Sequence, residues 1–381
     1  MLTYMDYVQQ AFYKATNWNE DNSYANLTAT ARALLDFHTP RGLNLHLSSL
    51  SSPNFATSYS LTNLGVVDGS ISYLYSSLPL TNVHKSRNVY LHDVVQGYRQ
   101  LRHLVAPSEA RFWEVWQGGV RVDTRDSLLY GRMYLPISTL EMLYLRRHSP
   151  KSQLRIAAVS DAKLKNGGTI LAVLQQDVGK YSTECLYSTS EGLIGARGLY
   201  NFGYDPRQKP KKAVVEVEKL STGRLSMGAE VYYGVLNKSG GMSTAIRYTT
   251  LPHHPGPPLT MTLTLSPLMG HFSATYAIKA GPNAAFCSRF DFNMYSYESD
   301  LVVGCELWQR KPTTSATAQL RRTEKDAFTG VLKARWTQSA GLGVLWEGRV
   351  KHLLFSLGAN IDFRRREGVV KGVGVEVQYS S

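Results

Sequence analysis

Residues 369–379 read VVKGVGVEVQY, and only Ser380 and Ser381 follow them. Side chains alternate between the two faces of an extended chain, so this stretch has one apolar face and one face of small and polar residues. The apolar face holds Val373, Val375, Val377 and Tyr379, and the other holds Gly372, Gly374, Glu376 and Gln378. An open apolar strand at the end of a chain would invite aggregation. We therefore predict that this strand pairs with an earlier one and closes a barrel.

The same alternation extends back through the chain to about residue 43. Apolar residues alternate with Ser, Thr, Asn and Gly, most cleanly in 259–266 (LTMTLTLS), and Asp68-Gly69 is the expected turn between two such strands. A soluble sandwich usually carries Lys, Glu and Arg on its outer face, whereas small polar side chains suit a wet lumen. We count roughly nineteen to twenty-one strands of about 8 to 11 residues, the length that a tilted strand needs to cross a bilayer. The pattern predicts an all-β transmembrane barrel of the porin type.

Bulk composition alone describes a basic and moderately polar protein. The 381 residues carry a formal net charge of +13, and the mean hydropathy is -0.23. No run of 18 or more apolar residues occurs, and no secretory signal is visible at the N-terminus. A transmembrane barrel hides its membrane face in every second residue, so modest hydropathy is compatible with it. The alternative is a large soluble β protein such as a propeller, although no 40-to-50-residue repeat supports one.

Residues 1–40 are predicted to be helical and to fill the lumen as a plug. Their apolar residues recur at helical spacing, at Leu2, Met5, Val8 and Phe12, and 28–35 is rich in helix formers. The alternative is an exposed docking helix. Acidic residues within this segment are unlike a cleavable mitochondrial presequence, so none is expected. The barrel is then predicted to span 41–381, with a long excursion around 77–127 and basic loops around 203–212 and 311–326.

Motifs for catalysis, metals and nucleic acids are missing from the sequence. It has no HExxH, phosphate-binding GxxxxGK[ST] or GxSxG pattern. The three cysteines (Cys185, Cys287 and Cys305) form no CxxC pair, which argues against a disulfide framework or a zinc site. Glu347, and Glu230 on the presumed lumenal face, could be general bases, but buried or lumenal carboxylates paired to Arg are far commoner than catalytic ones. We predict no enzyme activity, no metal and no cofactor. Basic residues are spread over loops, so nucleic-acid binding is not expected.

Several blocks of the sequence carry a family resemblance. They include MDYVQQAF, NWNEDNSY, LTATARALLDF, GSISYLYS, LTMTLTLSPLMGHFSATYAIKAG, FCSRFDFNMYSYESDLVVGCELW and VEVQYSS. Together they resemble the fungal mitochondrial distribution and morphology protein 10 family over essentially the whole chain. The resemblance implies a mitochondrial outer-membrane barrel of nineteen strands, an odd number that would make the first and last strands pair in parallel. The alternation alone does not decide that count.

Two roles follow from the resemblance, and neither needs catalysis. One is to anchor the ER-mitochondria encounter structure, which tethers the organelles and supports phospholipid exchange through lipid-transfer subunits. The other is to serve as an accessory subunit of the sorting and assembly machinery, which inserts barrels and helps to assemble the translocase of the outer membrane. The implied partners are the subunits of these three complexes and membrane lipids.

The closing strand also resembles the mitochondrial β-signal, although only in part. With its glycine aligned to Gly374, the two hydrophobic positions fall on Val377 and Tyr379. Gly372 then stands where a polar residue is expected. A separate feature, Arg364-Arg365-Arg366, follows a strand and is predicted either to contact anionic lipid head groups or to form an ordinary solvated turn.

Outward-facing aromatics are the candidate docking residues. Tyr73 and Tyr75 project together, and Tyr276 projects from a later strand. We hypothesise that the first pair contacts a tether subunit and that Tyr276 contacts the assembly machinery. The alternative is that these tyrosines belong to the lipid-facing belt that barrels have in quantity. A rival function for the whole protein is a porin-like channel that prefers anionic metabolites, and an outer-membrane enzyme is a third class for which no site is found.

Overall fold

The computed structural model describes residues 1–64, 66–107, 115–118, 120–122, 126–164, 166–203, 205, 222–252, 254–310, 328–339, 341–363 and 370–381. Arg364, Arg365 and Arg366 lie outside these residues, as do most of the basic loops predicted around 203–212 and 311–326. Among the helices of the described residues, none is long and apolar enough to cross a membrane. The described residues also contain no group of three or more His, Cys, Asp or Glu side chains that could hold a metal ion.

Nineteen strands form one sheet that closes on itself, and two short strands form a separate hairpin. The strands are β1 (Gly42–Ser52), β2 (Phe55–Leu64), β3 (Val66–Ser76), β4 (Val115–Gln117), β5 (Val120–Val122), β6 (Ser127–Leu135), β7 (Leu140–Ser149), β8 (Ser152–Ser160), β9 (Gly168–Asp177), β10 (Tyr181–Ser188), β11 (Leu193–Asn201), β12 (Gly223–Gly234), β13 (Ser239–Thr250), β14 (Leu259–Ser266), β15 (His271–Lys279), β16 (Ala284–Asn293), β17 (Ser299–Arg310), β18 (Phe328–Thr337), β19 (Gly341–Val350), β20 (Leu353–Ile361) and β21 (Val370–Ser380). Strands β4 and β5 form the separate hairpin.

The barrel closes between its first and last strands. Strand β1 pairs with β21 in parallel, with Leu43 opposite Val375 and Leu47 opposite Tyr379. The other pairs of the sheet are antiparallel neighbours along the chain, such as β20 with β21. An odd number of alternating strands makes the two end strands run in the same direction. The prediction of a closed barrel of about nineteen strands is confirmed.

Alternation along each strand separates a polar lumen from an apolar outer surface. In β14, Thr260 and Thr262 are buried on the inner side, whereas Met261 and Leu263 are exposed on the outer side. Neighbouring strands continue the pattern, because residues directly opposite each other in the register share a face. The small inner side chains leave room inside the barrel for other parts of the chain.

The prediction of a turn at Asp68-Gly69 is wrong. Both residues lie inside β3, where Asp68 is opposite Thr62 and Gly69 is opposite Leu61. Pairing of β2 with β3 continues to Leu64 opposite Val66, so the whole of Asp68-Gly69 lies within the paired region. A strand that crosses a barrel wall needs about 9 to 11 residues. The wall therefore incorporates a dipeptide that elsewhere favours a hairpin turn.

The two ends of the barrel differ in their connections. We call the end reached after β2, β6, β8, β10, β12, β14, β16, β18 and β20 the short-turn rim, because every connection there except 362–369, after β20, spans seven residues or fewer. The opposite end, which we call the long-loop rim, is where β3, β11, β13 and β17 end, each before one of the longer connecting segments of the sequence (77–126, 202–222, 251–258 and 311–327), and it also holds five short turns. Strand β1 starts at the short-turn rim, and β21 ends at the long-loop rim.

Three helices precede or interrupt the strands: α1 (Tyr4–Ala15), α2 (Ala29–Leu35) and α3 (Leu91–Val94). Helix α1 begins at the N-cap residue Thr3, whose hydroxyl accepts a hydrogen bond from the Asp6 backbone N–H at 3.3 Å. A turn of 3-10 helix, Tyr24–Asn26, lies between α1 and α2. All three helices pack against the inner face of the sheet.

Candidate functional site

The plug, residues 1–41, occupies the lumen through two apolar contacts. In the first, Val8 and Phe12 of α1 are completely buried in one cluster with the inward-facing side chains of the wall. Those wall residues are Ala56, Leu74, Leu128 and Leu145. The helical spacing of the apolar residues in 1–40 therefore forms the face that binds the barrel from inside. The predicted location of this helix in the lumen is confirmed.

The second apolar contact is made by α2. Leu34 and Leu35 are completely buried and pack against Cys287 and Val302 on the inner faces of β16 and β17. The wall residue that faces α2 at this contact is Gly304. A Cβ at this position would lie 2.7 Å from Leu35 Cδ2, which is too close for two carbon atoms. The helix can approach the sheet this closely only where a side chain is missing.

The plug leaves the lumen over a row of three glycines. Gly42, Gly374 and Gly358 lie side by side on β1, β21 and β20. A Cβ on Gly374 would lie 2.5 Å from the carbonyl carbon and oxygen of Pro40, and one on Gly358 would lie 2.6 Å from Pro40 Cδ. The chain therefore crosses the closing strand in direct backbone contact with it.

A second segment, the inner loop of residues 77–107, lies beside the plug. Val89 and Val94 belong to the same buried cluster as α1. The Leu2 N–H donates a hydrogen bond to the Val94 carbonyl at 2.9 Å, and the Arg349 guanidinium donates one to the Val89 carbonyl at 2.7 Å. The inner loop thus connects the plug to the wall.

The lumen contains a buried cluster of charges where the plug, the inner loop and the wall meet. Lys333 Nζ lies 3.0 Å from Glu347 Oε2, and the two side chains are 2% and 0% exposed. The amino group of Met1 contacts the same carboxylate, and Lys333 also donates to the Gln96 carbonyl. Glu306, 1% exposed, accepts a hydrogen bond from the Trp308 indole nearby. Opposite charges compensate one another in a region that water does not reach.

A second set of ionic contacts holds the end of α2. Arg289 on β16 lies 2.7 Å from the Asp36 carboxylate, which directly follows the helix. Arg335 on β18 donates to the Leu35 carbonyl at 3.0 Å. Cations near the last carbonyls of a helix interact favourably with its dipole. The wall therefore recognises both the apolar face and the C-terminal end of α2.

A polar cavity of about 230 Å³ remains between the linker joining α1 to α2 and strands β8 to β11. Its lining includes Glu20, Arg155, Glu184 and Arg197. Burial raises the pKa of the Glu20 carboxyl above its ordinary value, an effect that Arg99 opposes. Burial also raises the pKa of the neighbouring Tyr13 to about 12. Acidic and basic side chains are mixed here, which suits ordered water better than a ligand of one charge.

The candidate docking tyrosines lie on the outer surface, where the alternation predicted them. Tyr73 and Tyr75 are each 47% exposed on β3, and Tyr73 stacks on Phe55 with 6.0 Å between ring centres. Tyr276 is 40% exposed on β15. Strands β6 to β14 separate the two sites in one direction, and β16 to β21 with β1 and β2 separate them in the other. The structure therefore places two aromatic sites on opposite sides of the barrel. Their partners stay a prediction.

The closing-strand residues Gly374, Val377 and Tyr379 all belong to the parallel pair. Val377 is opposite Leu45 in β1, and Tyr379 is opposite Leu47. Gly374 lies on the inner face, where it makes the close contact with Pro40. Whether these three residues also act as an assembly signal stays a prediction.

Sequence reasoning missed the charged cluster around Lys333. The sequence predicts that Glu347 pairs with an Arg, whereas the structure pairs it with Lys333 and with the amino group of Met1. A signal was available, because Lys333 and Glu306 each stand at an inward position of a strand whose outward positions are apolar, Leu332 and Leu307. An isolated charge on the inner face of such a strand must find a partner within the lumen.

Comparisons with a family model and with individual proteins point to the same family. The sequence matches the family model described as mitochondrial distribution and morphology protein 10 over residues 1–325 and 313–381. A protein of that name from Phaeosphaeria nodorum is 60% identical over 100% of both chains. Proteins of the same name from Sclerotinia sclerotiorum and Yarrowia lipolytica are 57% and 45% identical, again over 100% of both chains.

Proposed function

The chain belongs to the mitochondrial distribution and morphology protein 10 family, and on that basis we propose that it is a non-enzymatic docking barrel of the mitochondrial outer membrane. In one role it anchors the ER-mitochondria encounter structure and its lipid-transfer subunits. In the other it is an accessory subunit of the sorting and assembly machinery and assists biogenesis of the translocase of the outer membrane. Neither the family nor the barrel is enzyme-like.

The outer surface supports the membrane part of this proposal. Exposed outward residues such as Leu61, Met227, Met261 and Leu357 are apolar on strand after strand. A continuous apolar belt of this kind fits lipid. Contiguous apolar patches on soluble monomers are much smaller.

One observation carries the docking part of the proposal: the plug and the inner loop occupy the lumen, with a polar cavity of about 230 Å³ left beside β8 to β11. Residues of the plug and the inner loop pack against the wall from β2 around to β18. Binding sites for partners must then lie on the outer faces, at the rims or in the connecting loops. Tyr73 with Tyr75 and Tyr276 provide two separate outer sites, which suits a protein with two complexes to join.

Substituting the two aromatic sites should separate the two roles. We expect Tyr73→Ala with Tyr75→Ala to remove the tether subunits from the barrel, and Tyr276→Ala to remove the assembly-machinery subunits. Each loss follows from removing a large, rigid aromatic contact, which at interface centres costs at least about 2 kcal/mol. The measurement is native-gel separation of gently solubilised fungal mitochondria carrying a tagged copy, with mass spectrometry of each tagged band.

Two controls belong with this experiment. Tyr187→Ala removes another exposed outward tyrosine and should leave both bands intact. Resistance to carbonate extraction reports whether each variant is still inserted in the membrane. Unchanged bands in the tyrosine variants would assign these residues to the lipid-facing belt, and loss of insertion would make their role structural.

Filling of the lumen argues against the rival function, a porin-like channel for anions. We expect the purified protein in planar bilayers to show no wide, steady conductance, because the plug and the inner loop occupy the pore. Leu34→Ala with Leu35→Ala removes the apolar contact of α2 and should raise the conductance, which makes it the positive control. A wide, anion-selective conductance of the unmodified protein would favour the channel.

Arg364, Arg365 and Arg366 complete the proposal as candidate contacts for anionic lipid head groups. Each such contact is worth about 1 kcal/mol near a membrane surface. In the sequence they stand between Phe363, which follows β20, and Val370, where β21 begins.

A further inference from the structure

The short-turn rim carries large apolar side chains at the tips of its hairpins. Exposed fractions are 58% for Ile137, 76% for Leu236, 73% for Met269, 81% for Tyr297 and 64% for Phe363. These five residues, which we call the apolar crown, lie in five different turns, after β6, β12, β14, β16 and β20. Hairpin tips in water normally carry polar residues, Gly and Pro. We therefore infer that another molecule covers the apolar crown.

The short turns of the long-loop rim have a different composition. They comprise residues 53–54, 150–151, 178–180, 280–283 and 351–352. None of these described turns contains an exposed large apolar side chain, and three of them present a lysine: Lys151, Lys180 and Lys351. Among the described short turns, the apolar tips thus belong to one end of the barrel and do not follow from hairpin geometry alone; at the other end, exposed apolar side chains such as Val105 and Phe202 lie in the longer connections.

Part of the crown is held rigidly in its exposed position. The Tyr295 hydroxyl donates a hydrogen bond to the Pro267 carbonyl at 3.0 Å, and the Met294 N–H donates one to the Gly270 carbonyl at 2.7 Å. These bonds connect the turn that carries Met269 with the turn that carries Tyr297. Tyr297 itself has a φ of 56°, a backbone conformation that non-glycine residues rarely adopt. Strained backbone that persists at a surface site is a reason to look for function there.

The distribution of the crown indicates what kind of partner covers it. A protein partner would cover a contiguous patch on one side, whereas these turns extend around the rim from β6 to β20. A bilayer surrounding the barrel reaches all of them together. The crown is also continuous with the outward apolar faces, since Met261 and Leu263 lead along β14 toward Met269. Tyrosines such as Tyr297 favour the boundary between acyl chains and head groups.

We propose that the apolar crown inserts into the interfacial layer of the surrounding bilayer, so that lipid holds the short-turn rim at head-group depth and the long-loop rim protrudes. This inference rests on the proposed membrane location. It adds a fixed depth and a sided orientation: soluble partners approach from the long-loop rim, while the short-turn rim contacts lipid.

Depth measurements at single labelled positions test the inference. The starting variant carries Cys185→Ala and Cys305→Ala and retains the buried Cys287, and its own labelling serves as the blank. Leu236→Cys, Met269→Cys and Phe363→Cys report on the crown. Met261→Cys reports on the outward face of a strand, and Lys351→Cys reports on the long-loop rim. Each variant is labelled with a nitroxide and reconstituted into phosphatidylcholine and phosphatidylethanolamine vesicles, and collisions with oxygen and with a water-soluble nickel chelate are compared.

Lipid insertion predicts that all three crown labels have a several-fold higher ratio of oxygen to nickel accessibility than the Lys351→Cys label, and a lower ratio than the Met261→Cys label. If the crown labels match the Lys351→Cys label while the Met261→Cys label stays protected, the barrel spans the membrane and the crown inference is overturned. Protection at only one crown position would also overturn it, in favour of a local protein contact. A Met261→Cys label that the nickel chelate reaches freely would instead remove the membrane location on which both proposals rest.

Discussion

Replacing Lys333 by methionine is expected to lower the free energy of unfolding by about 3 to 5 kcal/mol. Lys333 and Glu347 are almost completely buried with 3.0 Å between Nζ and Oε2. Removing the cation leaves the carboxylates of Glu347 and Glu306 together in the lumen, with the Met1 amino group as the only cation among the described residues that contacts either of them. A buried charge without a partner costs far more than the intact pair contributes.

Chemical denaturation of the protein refolded in detergent micelles, followed by tryptophan fluorescence, measures the loss. Lys14→Met is the matched control, because Lys14 of the plug pairs with Asp93 at 3.1 Å while 58% exposed. That exposed pair should contribute less than about 1 kcal/mol. Equal losses for the two substitutions would contradict the assignment of the Lys333 cluster as desolvated.

A double variant separates charge compensation from packing. Lys333→Met with Glu347→Gln returns the four groups of the cluster to zero net charge, and the glutamine can still accept a hydrogen bond from the Met1 amino group. We expect a coupling energy of about 1 to 3 kcal/mol between the two substitutions. Strictly additive losses would show that the two side chains stabilise the fold independently.

Replacing Gly374 by alanine is expected to cost about 2 to 3 kcal/mol, at the upper end of what overpacking causes. The added Cβ would lie 2.5 Å from the Pro40 carbonyl and 2.6 Å from Arg41 Cα, and both contacts are with backbone. A flexible side chain could move aside, whereas backbone held between β21 and α2 must shift as a unit. The crossing of the plug over β21 would loosen.

Gly372→Ala is the matched control on the same strand and the same face. A Cβ there would meet only the Arg41 side chain at 3.6 Å or more, an ordinary contact. Unfolding in micelles and tryptic release of the plug after Arg41 provide the two readouts, and both should change for Gly374→Ala alone. No assembly machinery is present in this experiment, so the effect would be steric. A stable, protease-resistant Gly374→Ala protein that fails to insert only in mitochondria would instead show that Gly374 acts as part of the assembly signal.

Much of the barrel wall can be predicted from the sequence, because the alternation of apolar and polar residues along each strand indicates which face points into the lumen. Leu259–Ser266 alternates without exception, and its threonines do face the lumen. The outward position of Tyr73, Tyr75 and Tyr276 follows from the same rule. The turn between β2 and β3 does not follow, since cross-strand pairing extends β3 through Asp68-Gly69 against the local preference of that dipeptide.

Contacts inside the lumen are harder to predict for a physical reason. The partners of a plug residue lie far along the chain, as Leu35 does from Gly304 and Pro40 from Gly374. No local pattern encodes these distances, and a glycine that accommodates a crossing chain looks like any other glycine in a strand. Gly374 therefore suggested a linear signal in the sequence, while its steric role emerged only with the fold.

The parallel pairing of β1 with β21 has a consequence for the order of folding. The contacts that close the barrel join residues more than three hundred positions apart, such as Gly42 with Gly374. Closing so long a loop carries a large entropic cost, and chains dominated by such distant contacts fold slowly. Pro40 crosses β21, the last strand of the barrel in sequence. The pairing of β1 with β21 and the crossing of the plug over β21 must therefore form together. Until then α1 remains an amphipathic helix without a cavity to enter, which makes the nearly complete chain the species most in need of a chaperone.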